Sequence, residues 1–146
     1  MNSTAIKRLI PALLILGFPL TGLSELKIPA IIGDHMVLQQ KQINPIWGWD
    51  QPGTEVTVSI ADQAKKAKAG TDGKWTVKLD PLTASYDPAT LTIEGTSKRV
   101  FKDVLVGEVW MCSGQSNMGM TVSGDWKHKV EVLASNHPNL RLISVP

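Results

Sequence analysis

Two short runs in which every second residue is apolar set the strongest limit on what this chain can fold into. In EVTVSI, Glu55 to Ile60, the residues Val56, Val58 and Ile60 share one face. In KWTVKLD, Lys74 to Asp80, the residues Trp75, Val77 and Leu79 share one face, with Thr76 and Lys78 on the other. A period of two suits a half-buried strand and breaks up the stripe that a helix would need. The turn signals Gln51-Pro52-Gly53 and Gly70-Thr71-Asp72-Gly73 precede the two runs. HMVLQQ, PIWGW and TLTIEG supply further strand candidates. Short strands at regular spacing predict an all-β sandwich, jelly-roll-like, over residues 25–102. A segment of about 78 residues is just long enough to bury its own core.

The first 24 residues have a different character. Lys7 and Arg8 form a basic start, Ile10 to Leu20 is apolar, and TGLS places small residues at Gly22 and Ser24. This is the layout of a secretory signal peptide over residues 1–24, cut before Glu25. The apolar run, interrupted by Pro11, Gly17 and Pro19, is too short to span a bilayer. A secreted or periplasmic location, with no membrane attachment after signal removal, is therefore expected. Without Lys7 and Arg8, the 15 basic residues fall to 13 and match the 13 acidic ones. A formally neutral chain with no basic cluster excludes the usual electrostatic footprint of a nucleic-acid binder. The single cysteine, Cys112, rules out an intrachain disulfide.

Around Asp103 the texture changes. Val109 to Cys112 is almost continuously apolar, as expected of a strand covered on both faces. Asp125 to Ser135 places Trp126, Val130 and Leu133 at helical spacing, and Asn139 to Val145 reads as another strand. Strand, turn, helix, strand is one βαβ unit, so residues 103–146 are expected to open a parallel α/β domain that is incomplete here.

Between that first strand and the helix lies the sequence GEVWMCSGQSNM, Gly107 to Met118. A glycine at 114, two before Ser116, allows a sharp strand-to-turn bend that lifts the serine to the end of a sheet, where α/β proteins place their sites. Serine is equally a common turn residue, and as a nucleophile it needs a base and oxyanion donors. The G-x-S-x-G pattern is only partly met, because Met118 stands at its last position. A phosphate loop fails because Met120 occupies the lysine position. Cys112, inside an apolar run, reads as a small buried hydrophobe. Trp47 and Trp49 share a strand face and are assigned to core packing in preference to a sugar-stacking platform. Asp125-Trp126-Lys127-His128 spells Asp-x-x-His, but Asp125 reads as a helix cap and His128 as a first-turn surface residue. His35 is placed in a β-domain strand and His137 in a loop. No cluster with metal-ligand spacing occurs, and no cofactor is called for.

GEVWMCSGQSNM resembles the nucleophile block of the sialate O-acetylesterases, within the SGNH hydrolase superfamily. GDHMVLQQ, PIWGWDQPGTEVTV, DGKWTVKLDPL and FKDVLVGEVW resemble that family's N-terminal β-domain in order and spacing, and NHPNLRLISVP also fits. The resemblance runs from Ala30 to Pro146. It implies an SGNH-type α/β/α catalytic domain after the sandwich, and hydrolysis of O-acetyl groups on sialic acid or a related acetylated carbohydrate. Ser116 matches the family's nucleophile and, through its own N–H, one oxyanion donor, with Gly114, Gln115 and Asn117 completing the motif. The family's remaining donors, a glycine and an asparagine, and its base histidine come from later blocks that these 146 residues do not contain. The chain alone is therefore expected to have little activity. Three other readings stay open: a non-catalytic glycan-binding or structural β-domain, an acetylxylan-type esterase, and an enzyme completed by a second polypeptide.

Overall fold

The computed structural model describes residues 25–121 and 129–144. The expected signal segment 1–24 lies outside the described residues, as do Asp125 and His128. What is described is a curled, mostly β-sheet domain with one helix towards its C-terminal side. The strands are β1 (Val37–Gln39), β2 (Asn44–Trp49), β3 (Glu55–Ile60), β4 (Gln63–Lys68), β5 (Lys74–Leu79), β6 (Ser85–Glu94) and β7 (Lys98–Gly107). A 3-10 turn, Ser116–Gly119, and a short helix, α1 (Lys129–Ala134), follow.

Five strands pair in the order β1-β7-β6-β3-β4, and β2 pairs with β5 in a separate two-stranded sheet. β1 runs parallel to β7; the other pairs are antiparallel. The arrangement is sandwich-like, although the strands divide five and two where a jelly roll would share eight between two sheets. The period-two runs do what their spacing dictates. Val56, Val58 and Ile60 on β3 and Trp75, Val77 and Leu79 on β5 all point into one buried cluster. Ile46 from β2, Leu91 and Ile93 from β6, Val104 from β7 and Leu26 from the entering segment join it. At the open edge, β4 carries Lys65, Lys66 and Lys68, charges that discourage pairing with another chain.

The two sheets are joined at one end by a buried carboxylate. Asp50, 1% exposed, lies just after β2. Its Oδ1 accepts from the Gln51 N–H at 2.7 Å and from Thr96 Oγ1 at 2.6 Å, and its Oδ2 accepts from the Thr96 N–H at 2.9 Å. Thr96 lies in the β6–β7 turn, so this group links the end of the small sheet to the hairpin of the large one. Gly95 is needed there for space: a Cβ at that position would run into Asp50 Oδ2.

The second half of the chain departs from expectation. Residues 109–114 form no strand, and Trp110 and Met111 are 83% and 93% exposed. A strand buried on both faces needs pairing neighbours and a layer on each side. Among the described residues no strand lies beside this run. Residues 140–144 likewise form no strand, and Leu142 and Ile143 are exposed. The expected helix is present as α1, with Val130 and Leu133 exposed. Cys112 is exposed rather than buried, for the same want of a covering layer.

Asp50→Ala should lower stability by about 3 kcal/mol, since it strips charge-assisted bonds from a buried site and leaves the Thr96 N–H unpaired. Chemical denaturation would check this; a loss under half that size would remove Asp50 from its role as the inter-sheet tie. In the two-residue turn between β3 and β4, Ala61 adopts φ 51°. Relief of that left-handed strain in Ala61→Gly should raise stability by up to about 1 kcal/mol, read in the same experiment.

Candidate functional site

β7 carries the chain from the β-domain to the serine turn, and three contacts fix its far end to β1. The Gln40 N–H donates to Gly107 O at 2.8 Å. Glu108 accepts from Gln39 Nε2 at 3.0 Å on one oxygen and from Gln40 Nε2 at 2.5 Å on the other. The Val109 N–H donates to Gln39 Oε1 at 2.8 Å. Gln39 is itself held by Asn44, which accepts from the Gln39 N–H at 3.1 Å and donates to its carbonyl at 2.9 Å. The two amide donors stabilise the ionised Glu108 and hold its carboxyl below the ordinary carboxylate value, Gln39 contributing more than Gln40.

Past Val109 the exposed chain leads to a tight turn. The Met118 N–H donates to Gln115 O at 2.9 Å, and Ser116 opens the 3-10 turn with its side chain exposed. Gly114 has no positive φ, so freedom of backbone is not why glycine stands there. A Cβ at 114 would lie 2.7 Å from Met118 Cγ. Glycine makes room for the Met118 side chain, the residue that breaks the G-x-S-x-G pattern. Gln115 supplies the turn's acceptor, and the backbone of Asn117 lies within the 3-10 turn.

A second cluster joins β7 to the turn before β1. Asp103 on β7 accepts from Arg141 Nη2 at 2.8 Å, and His35 Nδ1 lies 2.5 Å from its other carboxylate oxygen. Arg141 also donates from Nη1 to Met36 O at 3.3 Å and to Asp103 O. Its side chain is only 16% exposed, so it stitches the C-terminal segment onto the β-domain. His35 sits in the turn before β1 at φ 62°, not in a strand as expected, and Asp103 adopts φ 56°. The hydrogen bond from His35, and then that from Arg141, holds the Asp103 carboxyl below its ordinary 3.8.

Among the described residues, neither a histidine nor a carboxylate is hydrogen-bonded to Ser116. His35 is engaged with Asp103, and His137 lies in an exposed loop. No group of three or more His, Cys, Asp or Glu residues among them is placed to hold a metal ion. Trp47 and Trp49 do share a face, but Asn44, Ile46 and Gly48 occupy the inner one. Trp47 is half-buried against the core cluster, whereas Trp49 is 36% exposed and lines a shallow depression with Lys27, Pro52, Thr71 and Asp72. Core packing thus describes Trp47 and not Trp49.

No family model matches the chain. Among curated proteins it is similar to the human sialate O-acetylesterase, 37% identical over 109 residues, covering 66% of this chain and 20% of that protein. The mouse sialate O-acetylesterase is 34% identical over 131 residues, covering 82% of this chain and 24% of that protein. Among solved structures, a carbohydrate acetylesterase from Xanthomonas citri superposes with a TM-score of 0.73 at 32% identity, covering 78% of this chain and 26% of that one. The chain is related to the sialate-type carbohydrate esterases. It spans about a fifth to a quarter of the length of the curated relatives it matches.

For this esterase relative, the structure explains why several separated sequence segments belong together. GDHMVLQQ contains His35, Gln39 and Gln40, FKDVLVGEVW contains Asp103 and Glu108, and NHPNLRLISVP contains Arg141. Nothing in the sequence marks these six residues as a group, because each is a polar residue with no partner at a fixed spacing. β1–β7 pairing brings the first two segments together, and Arg141 joins them through Met36 and Asp103.

Arg141→Ala should release residues 139–144 from the β-domain while leaving the strands intact, seen as a fall in backbone order by NMR relaxation confined to that segment. The unsubstituted chain should show the same release in acid. Because the native Asp103 value is depressed, its contribution is complete above the ordinary 3.8 and is lost as pH falls below it through the native value. A segment equally ordered in the variant and in the parent would show that Arg141 does not hold it.

Proposed function

We propose that the chain forms the front of an exported carbohydrate esterase that removes O-acetyl groups from sialic acids by serine acyl transfer. The observation that carries this reading is Ser116, exposed on a one-turn 3-10 element beside Gly114, in a chain related to carbohydrate esterases. In this mechanism Ser116 Oγ attacks the acetyl carbonyl and a histidine takes its proton. The sugar oxygen leaves with a proton returned by that histidine, and water then hydrolyses the acetyl-enzyme to release acetate. The Ser116 N–H serves as one oxyanion donor; the turn's own bond is made by the Met118 N–H instead.

The base and the other oxyanion donors are assigned to parts of the enzyme other than the described residues. The division into a β-sandwich over 25–102 and the start of an SGNH domain over 103–146 belongs to the same proposal. β7 carries the sheet across that division to Gly107. Export to the periplasm or the medium, directed by residues 1–24, completes the reading.

The exposed Trp49 supports a second reading, in which the β-domain binds glycan through an indole face. Binding of acetylated glycan by the chain that survives Ser116→Ala and is lost in Trp49→Ala would favour it.

In the full-length enzyme, Ser116→Ala should lower acetate release from O-acetylated sialic acid by at least about a thousandfold. Acetylated xylan assayed in parallel should be the poorer substrate. Retained activity in the variant would remove Ser116 as the nucleophile, and a preference for xylan would move the substrate to that class.

A further inference from the structure

The Ser116 turn is joined to the β-domain by a contact whose chemistry is more specific than anchoring requires. Among the described residues of 107–119, Val109 makes the last hydrogen bond to the β-domain, seven positions before Ser116. The next backbone bond, Met118 to Gln115, is internal to the turn. The direction in which the chain leaves β7 is therefore set at Glu108 and Val109.

Gln39 performs two opposite tasks at that point. Its Oε1 accepts from the Val109 N–H at 2.8 Å while its Nε2 donates to Glu108 at 3.0 Å. A carboxylate only accepts, so Glu108 must face the NH2 end of Gln39, and the carbonyl end is thereby turned to Val109. Gln40 Nε2 fills the other Glu108 oxygen. Exposed hydrogen bonds of this kind contribute little to global stability, so their consequence is local geometry.

We propose that Glu108 is a positioning residue for the acyl-transfer serine: by fixing the Gln39 amide it locks the Val109 backbone and aims the segment that carries Ser116. This rests on the esterase reading above. The donor count makes a sharp forecast. In Glu108→Leu both acceptors are gone, so Gln39 Nε2 loses its partner at residue 108 and the Gln39 amide is free to flip. Glu108→Gln should keep the lock, because its carbonyl still accepts from Gln39 Nε2 while the Gln40 amide turns to accept from the new NH2.

The test uses the full-length enzyme with O-acetylated sialic acid, together with amide hydrogen exchange at Val109. Glu108→Leu should lower kcat about tenfold or more with KM changed less than twofold, since misaim of a reacting group acts on the chemical step. Val109 protection should fall in parallel. Glu108→Gln should keep both near the parent values, a result that ties the effect to the acceptor at 108 and that loss of fold could not give. Unchanged Val109 protection in Glu108→Leu overturns the lock. Lost protection with unchanged kcat overturns the positioning role while leaving the esterase reading intact. If Ser116→Ala retains activity, the esterase reading falls and this proposal falls with it.

Discussion

The Asp50 carboxylate is the contact on which the two-sheet arrangement turns. The two-stranded sheet is too small to hold itself in place, since an isolated hairpin in water is marginal at best. Burial of Ile46, Trp75, Val77 and Leu79 presses it onto the larger sheet, but apolar contact is non-directional and would tolerate a range of angles. Asp50 removes that freedom at one end by accepting from both the N–H and the hydroxyl of Thr96 in the β6–β7 turn. Such a buried group is favourable only because its acceptor sites are filled, and Gly95 gives it the necessary room. The same turn begins β7, so the strand that leads to Ser116 is fixed at its start by this tie.

β7 is then fixed at its far end by different chemistry. Parallel pairing with β1 brings Val37 opposite Leu105 and Gln39 opposite Gly107. On that frame hang two polar clusters, one joining Asp103 to His35 and Arg141, the other joining Glu108 to Gln39 and Gln40. The first holds the segment near Arg141 against the β-domain; the second governs the departure of the chain towards the serine turn. Both use carboxylates partnered from sequence positions far away, and the hydrogen bonds in both lower the carboxyl pKa. A β-domain so connected fixes the point at which the chain leaves it for the serine turn.

Strands whose inner faces are strongly apolar were readable directly. β3 and β5 follow their alternation residue for residue, and β2 lies within PIWGW extended by one residue. Neither β4 nor β7 is marked by a simple apolar alternation. β4 reads QAKKAK because an edge strand is populated for solubility, and only Ala67 packs on the core. β7 reads KRVFKDVLVG and is paired to β6 through register shifts between Ser85, Ala89 and Leu91, which blur any simple period. The run at 109–112 misled in the opposite sense: apolar residues without a paired neighbour do not make a strand.

The sequence by itself determined the β class of the segment that carries the strands, its core faces at β3 and β5, and Ser116 as the residue to suspect, because each of these is a local property of spacing or motif. Tertiary structure alone decided that Asp50 joins the sheets, that Trp47 is half-buried while Trp49 on the same face stays exposed, and that Gln39 and Glu108 meet ahead of the serine turn. Those outcomes depend on which strands become neighbours. Spacing along a chain specifies which side of a strand is buried, whereas pairing across a sheet specifies which distant polar groups must satisfy one another.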